Sequence, residues 1–172
     1  TNAVAIGRVS KATGTSATAV GVNNKAQAQD SSAVGSSNTI AAGATQASAF
    51  GRENTVNRGG TIAAGYKNTT DGDRNVAIGN ENTTTGEETI GIGTKVIAGT
   101  GKTIAIGSVY NPGGGVEKQT IARGDDTINP ATRQVNNIFA LAIGNGAQAD
   151  GKDNKASGMI AIGQDVLANN NN

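Results

Sequence analysis

Short blocks of the form apolar–Ala–apolar–Gly punctuate the chain from end to end. They begin as Val4-Ala5-Ile6-Gly7, Thr18-Ala19-Val20-Gly21, Ser32-Ala33-Val34-Gly35, Ser48-Ala49-Phe50-Gly51 and Ile62-Ala63-Ala64-Gly65. They continue as Val76-Ala77-Ile78-Gly79, Ile90-Gly91-Ile92-Gly93, Ile104-Ala105-Ile106-Gly107, Ile121-Ala122-Arg123-Gly124, Leu141-Ala142-Ile143-Gly144 and Ile160-Ala161-Ile162-Gly163. Six of the ten intervals between closing glycines are 14 residues and one is 16, whereas the last three are 17, 20 and 19. Such a period marks a solenoid whose repeat cannot bury its own apolar face. Fourteen residues predict a coil of two strands of about five residues joined by two tight turns. The positions one and three before each glycine share one strand face, and the residue between them is Ala in ten of eleven copies. A face that never exceeds Ala is one on which another backbone approaches closely. Alternation leaves open whether the Ala row or the Ile/Val row meets a neighbouring chain. Eleven coils stacked at about 4.8 Å predict a rod on the order of 50 Å long.

The turns carry their own signals. Gly7, Gly21, Gly35, Gly51, Gly65, Gly79, Gly93, Gly107, Gly144 and Gly163 close their blocks, where a sharp turn favours positive φ. A second glycine group, Gly14, Gly72 and Gly86, falls where the other turn is expected. Asn24, Asn38, Asn54, Asn68 and Asn82 each lie three residues after a closing glycine. Stacked in register they form an asparagine ladder, a device that stabilises parallel strands.

Composition narrows the chemistry. The 172 residues include only four aromatics (Phe50, Tyr66, Tyr110, Phe139) against 26 glycines, so many small contacts replace a large aromatic core. With 14 basic and 13 acidic residues, the net charge of +1 gives no footprint for nucleic acid or an anionic membrane. The chain has no His and no Cys, which removes Ser-His and thiol chemistry and disulfides. No signal-peptide pattern and no apolar run near eighteen residues occurs, so any leader or membrane anchor is expected outside residues 1–172. Asp71-Gly72-Asp73 and Gly124-Asp125-Asp126 place carboxylates in turns, but neither has the ligand pattern of a calcium loop, and they read as solvated acids. The 14-residue period and the lack of His argue against hexapeptide acyltransferases. Thr69-Thr70 and Thr83-Thr84-Thr85 are too mixed with Asn, Lys, Ala and Val for a regular ice-binding array. No catalytic residue, metal or cofactor is expected, and the chain is not expected to be an enzyme.

The repeats resemble the head domain of YadA-like trimeric autotransporter adhesins. The segment Asn2-Ala3-Val4-Ala5-Ile6-Gly7-Arg8-Val9-Ser10 is close to that family's NSVAIGxxS block, and Asn75 to Gly79 and Thr103 to Gly107 are near copies. The resemblance implies an all-β fold, a left-handed parallel β-roll with coils of about 14 residues, assembled as a homotrimer. It also implies a bacterial cell-surface location, anchored in the outer membrane through a stalk and barrel outside residues 1–172, with no membrane contact by the head itself. Implied partners are collagen, fibronectin and laminin of the host matrix, or immunoglobulin-like cell-adhesion receptors.

The chain reads as one domain, regular over 1–107 and irregular over 108–172. Insertions are expected at 108–119, around Asn111-Pro112-Gly113, at 125–137, around Asn129-Pro130, and at 151–157. Insertions in solenoids leave from one face, which often binds the partner. Tyr110, Asn111, Glu117, Lys118, Arg123 and Arg133 are therefore the candidate ligand-binding residues. Arg123 stands where other copies place an apolar residue or Ala, so either its coil is irregular or it points outward. The preferred function is a host-attachment head. The alternative is a spacer or autoagglutination element of a surface fibre without a dedicated host ligand.

Overall fold

A computed structural model describes residues 2–109, 117–123, 140–150 and 159–169. Among these the fold is all β, and the strands divide into two ten-stranded parallel sheets. The long-strand sheet stacks Val4–Ile6, Thr18–Val22, Ser32–Ser36, Ser48–Arg52, Ile62–Tyr66, Val76–Asn80, Ile90–Thr94, Thr103–Ser108, Ala140–Ile143 and Met159–Ile162 in sequence order. The short-strand sheet stacks Lys11–Ala12, Lys25–Ala26, Thr39–Ile40, Thr55–Val56, Thr69–Thr70, Thr83–Thr84, Ile97–Ala98, Ile121–Arg123, Gln148–Asp150 and Leu167–Asn169. One long and one short strand make each of ten coils, numbered here along the chain. Pairing is strictly in register: Val76 lies over Ile62 and under Ile90, and Ala77 lies between Ala63 and Gly91.

Two expectations need correction, and one alternative left open by the sequence is decided. The second strand is two or three residues rather than five, so each coil is flatter than two equal strands would make it. Among the described residues the coils number ten rather than eleven, because Ile121-Ala122-Arg123 is the short strand of coil 8, paired with Ile97 and Ala98 on one side and Gln148 to Asp150 on the other. Finally, the Ala row faces the interior. Ala19, Ala33, Ala49, Ala63, Ala77, Ala105, Ala142 and Ala161 are fully buried, and the backbone that approaches them is the chain's own short strand. Opposite them, Ala26, Ile40, Val56, Thr70, Thr84, Ala98, Ala122 and Ala149 point inward from the short strands and are also fully buried.

The corners explain the glycines and asparagines. The first corner follows each long strand. A Cβ on Gly79 would collide with the carbonyl of Gly93 in the next coil, and its φ of 124° is open to glycine. Two residues further on, the left-handed position is taken by a residue other than glycine in most coils: Asn23, Ser37, Glu53, Lys67, Glu81 and Lys95 have φ between 52° and 57°. Such a conformation costs roughly 1–2 kcal/mol for an ordinary side chain. It is held because the corner N–H groups bond to the preceding coil, as in Lys67 N–H to Arg52 O at 3.0 Å and Glu81 N–H to Tyr66 O at 2.8 Å. The second corner precedes each long strand. There Gly72 is required by close approach of the Gly86 carbonyl rather than by positive φ, and the left-handed residue is Arg74. Gly14, Gly72 and Gly86 fall at this second turn, as their spacing predicts, while Ser16, Arg74 and Glu88 take its left-handed position.

The asparagine ladder runs along the first corner, fully buried. Asn54 shows its wiring. Its two Nδ2 hydrogens are shared among Phe50 O at 2.9 Å, Gly65 O at 3.0 Å and Asn38 Oδ1 at 2.9 Å. Its own Oδ1 accepts from the Asn68 N–H at 3.0 Å and Asn68 Nδ2 at 2.9 Å. This buried amide thus bonds two carbonyls at the end of the long strands and the asparagine of the preceding coil, the satisfaction that buried polar groups require. Ser10 starts the row and Val96 interrupts the asparagines; the Val96 N–H still bonds Asn82 Oδ1 at 3.0 Å.

Candidate interaction surface

With alanines inside, the larger apolar residues of the long strands must face outward. Val4, Ile6, Phe50, Ile62, Ile78, Ile160 and Ile162 are 41–62% exposed. Between them Val20, Val34, Val76, Ile90, Ile92, Ile104, Ile106, Leu141 and Ile143 stand in the same outward rows and are half-buried by their stacked neighbours. The result is two parallel apolar rows along one flat face. One row turns polar in coils 2 to 4 at Thr18, Ser32 and Ser48. In the other, Phe50 abuts Ala64, so the largest side chain lies beside the smallest. A continuous apolar band of this length exceeds the scattered exposed residues normal for a monomer.

The short-strand sheet is different. Its outward row is Lys11, Lys25, Thr39, Thr55, Thr69 and Thr83, giving way to Ile97 and Ile121. A small aromatic and cationic cluster adjoins the first corner. The Arg52 guanidinium lies 4.6 Å from the Tyr66 ring centroid and Lys67 Nζ 5.1 Å from it. Hydrogen bonding from Lys67 and then Arg52 holds the Tyr66 phenol below its ordinary range.

The candidate ligand-binding residues do not converge. Glu117 pairs back to Lys95 at 2.9 Å, Lys118 reaches forward to Asp165 at 2.7 Å, and Arg123 faces Asp150 at 3.7 Å. Each therefore ties one coil to another along the surface. Arg123 points outward from the end of a short strand, half exposed. Tyr110, Asn111 and Arg133 lie outside the described residues, as do the insertions at 125–137 and 151–157. Ser108 belongs to the long strand of coil 8, so the first insertion begins after it. Where the chain returns, Thr120 stands in the ladder row, donating to Gly144 O at 2.6 Å as the asparagines do to their neighbours. Asp73 is engaged by the Gly59 N–H at 2.9 Å, and no three potential metal ligands gather among the described residues. A shallow cavity of about 230 Å³ lies beside Lys118, Gln148, Asp165 and Leu167.

The sequence reading missed the outward apolar rows, because alternation identified two faces without saying which was inside. It also missed two charge rows, although their spacing was visible. Glu53, Lys67, Glu81 and Lys95 recur every 14 residues at the first corner, and Arg74, Glu88 and Lys102 do so at the second. Neighbours in these rows alternate in sign. Arg74 bonds Glu88 at 3.0 Å, Lys102 bonds Glu88 at 3.1 Å, and Lys67 lies 3.9 Å from Glu53. Lys102 and then Arg74 hold the Glu88 carboxyl below its ordinary range.

Stacked 14-residue coils, an alanine interior, an asparagine-wired corner and an outward apolar face define a parallel β-solenoid. A family model, the YadA head domain repeat, matches residues 1–24, 12–38, 59–82 and 137–153. Those stretches are similar to YadA head repeats, and the stacked 14-residue coils are consistent with a YadA-like head domain. No curated protein and no solved structure matches the chain. Among the described residues no helix is long and apolar enough to cross a membrane.

Proposed function

We propose that this chain is the head of a bacterial surface adhesin, a left-handed parallel β-roll assembled as a homotrimer and held to the outer membrane by other parts of the protein. The observation that carries the reading is the outward apolar face of the long-strand sheet, on a chain with stretches similar to YadA head repeats. Three copies around an axis bury those rows against one another and leave the Lys- and Thr-lined short-strand sheets facing outward. Closed assembly of this type uses the same two flanks on every copy.

The repeated outer surface supports attachment to an extended host target, namely matrix collagen, fibronectin or laminin, or an immunoglobulin-like cell-adhesion receptor. Three identical lateral surfaces raise avidity through effective concentration, so weak contacts on each suffice. The test presents the assembled chain to surfaces coated with each of these proteins. Saturable binding to at least one is expected. A head that binds none of them, yet clusters cells bearing it, would sink host attachment in favour of autoagglutination. Replacing 125–137 by a Gly-Ser linker then asks whether that insertion contributes. Unchanged binding would place the contact on the coils themselves.

A further inference from the structure

A repeated interface has a register problem. From coil 6 to coil 10 the outward rows carry Val, Ile or Leu at every step, so two copies shifted by one coil there bury almost the same surface as two copies in line. Such a shift does not close into a ring; head-to-tail contacts with a stagger generate an open helix. Something other than hydrophobic area has to choose.

The two corners flanking the long-strand sheet carry charges in opposite phase. At coil 6, Arg74 stands at the second corner and Glu81 at the first; at coil 7, Glu88 stands at the second and Lys95 at the first. At coil 8, Lys102 stands at the second, and Glu117 joins Lys95 beyond the first. Three parallel copies around an axis bring the first corner of one copy beside the second corner of the next. In line, Glu81 faces Arg74 and Lys95 faces Glu88. Shifted one coil one way, Lys67 faces Arg74, Glu81 faces Glu88, and Lys95 faces Lys102. Shifted the other way, Lys95 faces Arg74. Every one-coil stagger sets like charges together. Alternation along a single corner is explained by pairing within the chain, but the opposite phase of the two corners is not.

We infer that Arg74, Glu81, Glu88 and Lys95 form a register key that selects a parallel, in-line second copy of this chain and rejects the one-coil stagger. This inference rests on the homotrimer reading. Repulsive pairing against wrong registers is the same device that sets partners in coiled coils. Because these side chains are exposed, each pair is individually weak and the choice depends on their repetition and on low salt.

The experiment compares three versions of the 172-residue chain by sedimentation equilibrium at low and high salt. The wild type is expected as a trimer. The swap Glu81→Lys with Lys95→Glu is expected to weaken association by roughly tenfold or more at low salt, or to yield larger open assemblies, with the difference shrinking at high salt. Adding Arg74→Glu and Glu88→Arg restores opposite phase and is expected to restore the closed trimer. If the swap reduces folding, the neutral pair Glu81→Gln with Lys95→Gln is used, expected to lower association more mildly without changing the circular dichroism. A wild-type monomer overturns the homotrimer reading. A wild-type trimer that neither the swap nor the neutral pair weakens overturns the register key alone. So does a fourfold variant that associates no better than the swap.

Discussion

The interiors of coils 2 to 4 and of coils 5 to 7 are built from different chemistry on the same backbone. The first stretch belongs to an apolar cluster of Ala17, Ala19, Ala26, Ala28, Ala33, Ile40, Ala44, Ala47, Ala49, Val56 and Ala63. A second such cluster runs from Val96 through Ala105 and Ala142 to Ala161. Between them Ala77 is joined by Thr70, Asn75, Thr84, Thr89 and Gly91, so the inward residues there are mostly polar or lack a side chain. The hydroxyls of Thr70, Thr84, Thr89 and Thr103 are buried without a hydrogen-bond partner. Register nevertheless passes unbroken from one region to the other. What the regions share is the backbone ladder on both sheets and the asparagine row. The difference teaches that side-chain burial tunes stability coil by coil, whereas backbone stacking and the wired corner define the fold.

The largest effect is expected where the shared element is removed. Asn54→Ala leaves the carbonyls of Phe50 and Gly65 without their side-chain donor and strips Asn68 of its acceptor. Denaturant unfolding should show a loss of about 3–5 kcal/mol. A loss under about 1 kcal/mol would mean the ladder is dispensable and the two regions share only backbone. A smaller effect of opposite sign is expected in the polar stretch. Thr84→Val replaces an unpartnered buried hydroxyl with a methyl of similar volume, and should raise stability by about 1 kcal/mol in the same assay. Destabilisation by that substitution would show that the hydroxyl is satisfied in solution and that the two interiors differ less than their chemistry implies.

The smallest effect concerns the surface beside coils 4 and 5. Tyr66 is held below the ordinary phenol range by Lys67 and Arg52. In a Tyr110→Phe background, where Tyr66 is the only tyrosine, its ultraviolet titration should fall at lower pH than that of free tyrosine. Because its folded value is depressed, ionisation of Tyr66 adds stability only as pH rises into the alkaline range, and that contribution is lost as pH falls through its folded value. Arg52→Gln with Lys67→Gln should return the titration to the ordinary range. A titration unmoved by that pair would remove the cluster from the account.

Much of the architecture was legible in the sequence. The 14-residue period gave the solenoid, and Asn24, Asn38, Asn54, Asn68 and Asn82 announced a ladder that the hydrogen bonds confirm. Which row lies inside was not legible. Ordinary reasoning buries Ile before Ala, but a coil closed by a two-residue strand leaves room for one Ala opposite one side chain of modest size. The bulky rows are therefore left outside. Ile121-Ala122-Arg123-Gly124 misled for a related reason: short strands carry the same apolar–Ala pattern, as Ile97-Ala98-Gly99 does, so a four-residue window cannot separate the two sheets. Thr120 was hidden in the ladder row because an insertion separates it from Gly107. The candidate ligand residues were chosen by their place in insertions. Pairing of Glu117, Lys118 and Arg123 to other coils is a tertiary fact that sequence spacing does not contain.

The central claim is that the outward Ile and Val rows of the long-strand sheet are covered by other copies of the same chain. Sedimentation equilibrium of the 172-residue chain over a wide concentration range tests it most directly. The account predicts a mass of three times the 17.0 kDa chain. A stable 17.0 kDa monomer at every concentration, with those rows exposed to water, would contradict it.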